Sequence, residues 1–142
     1  MIILDANVLI YAVNQDAPLN KRTRSWLETT LLGTETIGIP WTVILAFLRL
    51  TTRPGLFRNP MPVDVCFDLI DSWLENPSVI IVEPGPRHRT ILRGLLSTLG
   101  TAGNLTSDAH LAALALEQRA EVCSFDQDFR RFPGLKWRNP LA

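Results

Sequence analysis

Short apolar runs alternate with longer amphipathic segments along this chain, and that alternation constrains its fold more than any other feature. The runs have the length and branched aliphatic content of buried strands. The segments between them carry apolar residues at the three- to four-residue spacing of helices. Such alternation predicts an α/β fold, with a parallel sheet of four to five strands and helices on both faces. The predicted strands are residues 2–4, 36–39, 78–82, 121–124 and 135–137, and the predicted helices are residues 8–13, 18–32, 40–50, 63–75, 87–99 and 105–119.

Two of these elements carry a more specific expectation. The run Ser78–Val82 is dominated by β-branched residues, which predicts a strand in the centre of the sheet. In the helix at 63–75, Val65, Leu69 and Leu74 are expected to face the core, with the acidic residues of that helix facing outward.

Length and composition narrow the class of protein. A chain of 142 residues predicts a single domain covering residues 1–142. The 14 basic and 14 acidic residues cancel, so only a local patch could attract nucleic acid. Cys66 and Cys123 occur singly in apolar surroundings, which fits a reducing compartment. There is no long apolar segment or signal-peptide pattern, so a soluble cytoplasmic protein is expected.

Aspartates follow two of the predicted strands and open one of the predicted helices. Asp5 follows the first strand, Asp126 and Asp128 follow the strand at 121–124, and Asp108 lies in the first turn of the helix at 105–119. Ligands of open α/β sheets bind outside the carboxyl ends of the strands, so these acids are expected to meet there. Each aspartate taken alone is also an ordinary cap or turn residue.

Clustered carboxylates repel one another, and a divalent cation relieves that repulsion. Hard oxygen ligands favour Mg²⁺ or Mn²⁺ over zinc, and no histidine or cysteine is placed to compete. The residues therefore predict an acidic metal site at the sheet edge.

Three motifs together resemble a known family. They are ILDANVLIYA at residues 3–12, SDAHLAALALEQRAEVCSFDQDFRRFPGL at residues 107–135 and WRNPL at residues 137–141. The chain resembles the PIN-domain ribonucleases, and in particular the VapC-type toxins of toxin–antitoxin pairs. The combination of DAHLAALA with SFDQDF at this spacing is the specific part of the match, and the resemblance spans nearly the whole chain.

The resemblance implies a PIN-like fold and a Mg²⁺-dependent endoribonuclease that uses metal-activated water, with Mn²⁺ as a possible substitute. It also implies a homodimer that is neutralised by a small VapB-type antitoxin. The implied metal ligands are Asp5, Asp108 and Asp126, with Asp128 as an accessory catalytic acid and with Asn7 and Ser124 as residues that orient the ligands.

One position departs from the family pattern. The family places a glutamate on the helix after the second strand, in a context such as LAELxR, and here Phe47 is interpreted as standing at that position. No acid lies between Glu35 and Asp64 to replace it. One well-occupied ion site is therefore expected. A second hypothesis follows, in which a catalytically weakened PIN domain binds RNA or its antitoxin without cutting.

Basic residues supply candidate contacts for RNA. Arg49 follows the suspected site on the helix, and Arg53 and Arg58 follow on a loop, so they could bind phosphates through bidentate hydrogen bonds. Arg53 and Arg58 fit a plain solvated surface equally well. His110 is two residues from Asp108 and is expected to point away from it, so we do not expect it to act as a base.

A phosphoaspartate enzyme of the haloacid-dehalogenase type also starts with a strand that ends in aspartate. Its chemistry needs a second aspartate two residues later, where this chain has Asn7. It also needs a lysine near the site, and Lys21 and Lys136 are not next to an acidic motif. The residues therefore argue against this class.

Overall fold

The computed structural model describes residues 1–142 and shows five parallel strands in one sheet, in the order β3-β2-β1-β4-β5. The strands are β1 Ile2–Leu4, β2 Ile37–Pro40, β3 Val79–Val82, β4 Glu121–Cys123 and β5 Trp137–Arg138. The helices are α1 Ala6–Val13, α2 Asn20–Leu32, α3 Trp41–Thr52, α4 Val63–Leu74, α5 His88–Leu99 and α6 Thr106–Gln118, with 3₁₀ turns at Gly103–Leu105 and Gln127–Arg131. The predicted α/β class is confirmed.

The centre of the sheet is β1, which pairs with β2 on one side and β4 on the other. All three of its residues, Ile2, Ile3 and Leu4, are 0% exposed. Successive strand residues point to opposite faces, so their complete burial shows that both faces of the sheet are covered. Because β1 and β4 are neighbours and parallel, the residues that follow them meet at one edge of the sheet.

The prediction that residues 78–82 form a central strand was wrong. The segment forms β3, which lies at the end of the sheet and pairs only with β2. Ile80 is 43% exposed and Ile81 is 36% exposed. The β-branched residues favour an extended strand, but strand order depends on where the crossover helices deliver the chain.

The inward face of α4 was predicted only in part, because Leu69 and Leu74 are partly buried against the core but Val65 is not. Cys66, Ile70 and Trp73 are its buried residues, whereas Val65 is 43% exposed. The buried three recur at four- and three-residue spacing, and Trp73 packs edge-to-face on Phe47 of α3 with ring centroids 5.2 Å apart. The helix carries more than one apolar stripe, so its sequence did not distinguish the buried one.

The interior is one continuous cluster of 31 buried apolar residues that reaches from β1 to Phe132. Two helices end in the left-handed conformation, α5 at Gly100 with φ 75° and α6 at Arg119 with φ 55°. No helix is both long and apolar enough to cross a membrane.

Candidate active site

Asp5 lies at the carboxyl end of β1 and caps the first helix. Its Oδ1 accepts a hydrogen bond from the backbone N–H of Ala6 at 2.7 Å, and its Oδ2 accepts one from the hydroxyl of Ser124 at 2.7 Å. These bonds hold the carboxylate in one orientation. Burial raises the pKa of Asp5, the two hydrogen bonds lower it, and the nearby charge of Asp126 raises it; the net shift is upward.

Ser124 joins the ends of β1 and β4 through one fully buried oxygen. Its Oγ donates to Asp5 and accepts from Asn7 Nδ2 at 3.1 Å and from the backbone N–H of Asp126 at 3.0 Å. The Oδ1 of Asn7 in turn accepts from the backbone N–H of Phe125 at 3.3 Å. Ser124 therefore contacts two of the predicted ligands and Asn7 contacts Ser124, and the orienting role of both stays a prediction.

Asp126 and Asp128 form the turn after β4. Oδ1 of Asp126 accepts from the backbone N–H of Asp128 at 2.8 Å and caps the 3₁₀ turn Gln127–Arg131. Asp128 is exposed, and its closest cation is Arg131, with Nη2 3.8 Å from Oδ1. At that distance and exposure the pair contributes little neutralisation. The acidic turn therefore keeps most of its negative charge.

Asp108 enters the same region from the first turn of α6 and is half-buried. Burial, followed by the charges of Asp5, Asp126 and Asp128, raises its pKa from the ordinary 3.8 to about 6. Each of the other three acids contributes to that shift, so all four predicted aspartates lie close enough for their charges to interact. Their catalytic and metal-binding roles stay predictions.

The donor set suits a hard divalent cation. All four side chains offer carboxylate oxygens. Burial and repulsion between the acids raise the pKa values of Asp5 and Asp108, and a cation would offset both effects. No three acidic, histidine or cysteine side chains are grouped as a ready-made metal site. Mg²⁺ is typically bound by one or two carboxylates and keeps several waters, so a complete cage of protein ligands is not required.

A cavity of about 480 Å³ opens beside Asp5 and Asp108. Its walls come from α3, α5 and the start of α6. They are partly apolar, with Val43, Leu45 and Leu92, and they include one cation, Arg49. The volume and mixed lining are those of a ligand site.

The interpretation of Phe47 as the residue facing the site was wrong. Phe47 is 0% exposed and lies in the core against Trp73. The neighbouring residue Ala46 lines the cavity instead. One helical position corresponds to a rotation of about 100°, so a one-residue error in reading the motif moves a side chain from the cavity to the core. It remains true that α3 contributes no acid to the cavity.

The predicted arginines separate into two groups. Arg49 lines the cavity, whereas Arg53, just after α3, and Arg58, on the loop, are exposed and do not line it. Arg49 is thus the one placed beside the acids.

His110 was missed. It lines the same cavity as Asp108, contrary to the prediction that it points away, because the cavity wraps around the first turns of α6. Burial and, to a lesser extent, the neighbouring His88 lower the pKa of His110. Helical spacing gave no indication that His110 lines the cavity. The scarcity of histidine did single it out, since the chain has only two.

Comparisons with known proteins identify the family of the chain. The family model described as the PIN domain matches residues 2–135. Ribonuclease VapC37 of Mycobacterium tuberculosis is 46% identical over 142 residues, covering 100% of this chain and 99% of that protein. Ribonuclease VapC33 of the same species is 41% identical over 141 residues, covering 99% of each.

A solved structure gives the same fold. VapBC2 from Rickettsia felis, bound to a DNA fragment from its promoter, superposes with a TM-score of 0.68 at 21% identity and covers 98% of each chain. Its low identity supports the architecture alone, whereas the family model and the closer relatives extend over the acidic edge. The chain belongs to the PIN-domain family and, within it, to the VapC ribonucleases.

Proposed function

We propose that this protein is a divalent-metal-dependent endoribonuclease and the toxin of a VapBC-type toxin–antitoxin pair. The observation that carries the proposal is the meeting of Asp5, Asp108 and Asp126 at the carboxyl edge of the sheet, with the pKa of Asp108 raised to about 6 by burial and by the other acids. The names of the relatives, which are ribonucleases, support the same activity.

In this proposal Asp5, Asp108 and Asp126 hold Mg²⁺, or Mn²⁺ in its place, and Asp128 assists from the exposed turn. A bound divalent ion lowers the pKa of a coordinated water and stabilises charge that develops on a phosphoryl oxygen. Ser124 fixes the orientation of Asp5 through its 2.7 Å hydrogen bond, and Asn7 supports Ser124.

The cavity residues of the chain bind the substrate. Arg49 offers planar paired donors to a phosphate of the RNA, close to the acids. Val43, Leu45 and Leu92 form an apolar wall that suits the face of an unpaired base. Arg53 lies outside the cavity, one turn beyond Arg49, and extends the phosphate contacts along the chain.

We infer that the partners are a second copy of the chain and a VapB-type antitoxin, in the cytoplasm. Trp41 is 48% exposed and Leu45 is 55% exposed on α3, which is more apolar surface than a solvated helix needs. The solved structure with the same fold is a VapBC complex. The alternative of a non-catalytic binding module rested on the missing acid of α3, and Ala46 at the cavity wall leaves that acid missing. The relatives named as ribonucleases favour the enzyme over this alternative.

The test is cleavage of total bacterial RNA by purified protein freed of antitoxin, with Mg²⁺, with Mn²⁺ and with EDTA. Discrete fragments are expected with either metal and none with EDTA. The Asp108→Asn variant should be inactive, and Asp64→Asn, at an exposed acid on α4, is the matched control and should cut normally. Cleavage that persists in EDTA, or that Asp108→Asn leaves unchanged, would contradict the metal mechanism.

A further inference from the structure

The only two histidines of the chain contact each other, and one of them, His110, lines the acidic cavity. His88 opens α5 and His110 lies on α6. Nε2 of His88 is 2.9 Å from Nδ1 of His110, and the rings meet edge-to-face with centroids 4.7 Å apart. The proposed function uses neither residue.

The surroundings of His88 decide which ring carries the shared proton. His88 is 8% exposed, and its other nitrogen, Nδ1, is buried without a partner. If His110 donated the bond, His88 would carry its own proton on Nδ1, as a buried N–H with no acceptor. If His88 donates, Nδ1 is left with only an unpaired lone pair. Orphaned buried N–H groups are the rarer of the two, so Nε2–H of His88 donates to Nδ1 of His110.

The direction of this hydrogen bond determines which nitrogen of His110 carries the proton. With Nδ1 of His110 accepting, the proton of its neutral ring sits on Nε2. That nitrogen makes no hydrogen bond within the chain, and His110 lines the cavity together with Asp5, Asp108 and Arg49. His110 therefore presents an unused N–H donor beside the acids.

We propose that His110 binds an oxygen of the RNA sugar–phosphate backbone through its Nε2–H, and that His88 is the positioning residue that keeps the proton on that nitrogen. The proposal rests on the proposed ribonuclease function. Carboxylates repel phosphate oxygens, so a substrate chain that approaches Asp5 and Asp108 needs donors on the same wall. Arg49 supplies a charged donor and His110 supplies a neutral one with a fixed direction.

The tautomer can be tested without RNA or metal. Long-range ¹H–¹⁵N spectra of the metal-free protein at pH 8 separate protonated from unprotonated ring nitrogens. We expect His110 to be protonated on Nε2 alone, and the His88→Phe variant, with its fold checked by circular dichroism, to show a mixture of tautomers. A proton on Nδ1 of His110 in the unchanged protein would overturn the assignment.

The contact with RNA is tested by two substitutions at one position. His110→Leu removes the donor and should lower kcat/KM on an oligonucleotide spanning a mapped cleavage site by about tenfold or more. His110→Gln keeps an N–H at similar reach and should retain activity within about threefold. If the unchanged protein cuts and His110→Leu cuts equally well, the contact does not exist. If the unchanged protein does not cut at all, the proposed function itself fails, and the spectra still report on the tautomer.

The acceptor on the RNA is identified with a single 2′-deoxy nucleotide at the scissile position. If the ribose hydroxyl is the acceptor, the losses in kcat/KM caused by the 2′-deoxy nucleotide and by His110→Leu should be non-additive. If a phosphate oxygen is the acceptor, the two losses should be additive. Additivity is followed by a phosphorothioate at the same position, and additivity there as well would overturn the backbone contact.

Discussion

At the amino edge of the sheet, two glutamates pair with the guanidinium of Arg138, which reaches back from the end of β5, whereas the four aspartates of the carboxyl edge have no comparable ion pair. Arg138 contacts Glu35 at 3.1 Å and Glu121 at 3.2 Å. Its hydrogen bond to Glu121 is the main reason that the pKa of the guanidinium is raised. The only ion pair at the carboxyl edge is the exposed contact between Arg131 and Asp128 at 3.8 Å.

The two edges differ in what neutralises their acidic side chains. Acids at the amino edge are neutralised by a side chain of the protein, so that edge is complete without a ligand. Acids at the carboxyl edge repel one another and remain partly buried, which costs folding stability and favours binding of an external cation. Acidic side chains are thus paired within the protein at one edge and left unpaired for the proposed cation at the other.

The largest effect is expected from Asp5→Asn at the carboxyl edge. Loss of this fixed carboxylate should reduce metal-dependent RNA cleavage by at least about 10²–10³-fold, the size seen when one preorganised electrostatic contact is removed. Its Tm should change little, because the loss of a buried repelling charge offsets the loss of one of the two hydrogen bonds that the carboxylate accepts. Activity close to that of the unchanged protein would remove Asp5 from the mechanism.

The next effect is a dependence of stability on pH that Asp108 produces. Its folded pKa of about 6 lies above the ordinary 3.8, so the folded state holds the proton more tightly. The stability that Asp108 contributes through this raised pKa is fully present below pH 3.8 and is lost as pH rises through about 6. Allowing for solvent screening at this half-exposed site, the loss amounts to about 1 kcal/mol.

Urea unfolding at pH 4.5 and pH 7 measures this contribution of Asp108 to the free energy of unfolding. Relative to the unchanged protein, Asp108→Asn should gain stability as pH rises. Mg²⁺ should raise the Tm of the unchanged protein at pH 7 and do so less at pH 4.5, where protons compete for the carboxylates. A difference between the two proteins that is the same at both pH values would refute the raised pKa.

A smaller effect is expected at the amino edge. Arg138→Met leaves Glu35 and Glu121 without their cation and should lower the free energy of unfolding by about 1 kcal/mol or less, since the pairs are partly exposed. RNA cleavage should change by less than about twofold. The Glu35→Gln/Arg138→Met double variant should be less destabilised than the sum of the singles, and strict additivity would argue against the pairing.

The smallest effect should come from Asp128→Asn. Asp128 is exposed, and its side chain makes only the long contact to Arg131. We expect a loss of cleavage activity of a few-fold and a change in unfolding free energy within about 0.5 kcal/mol. A loss as large as that of Asp5→Asn would move Asp128 from an accessory residue to a principal ligand.

Much of the carboxyl edge could be predicted because the signals there are local. An aspartate directly after an apolar strand, as at Asp5, lies at the sheet edge wherever that strand pairs. The misassignments arose where a result depends on packing between distant segments. The order of β3 in the sheet and the buried stripe of α4 are of this kind. Phe47 and Ala46 differ by one helical step, and only the packing of Trp73 on Phe47 decides which one faces the core.

The side-chain oxygen of Ser124 connects the chain segments that follow β1 and β4. It donates its proton to Asp5 and accepts from the side chain of Asn7 and the backbone N–H of Asp126, which uses both of its acceptor positions. The carboxylate of Asp5 and the backbone at Asp126 are therefore linked through one atom. If these two residues hold a cation as proposed, less of its binding free energy is consumed in ordering them.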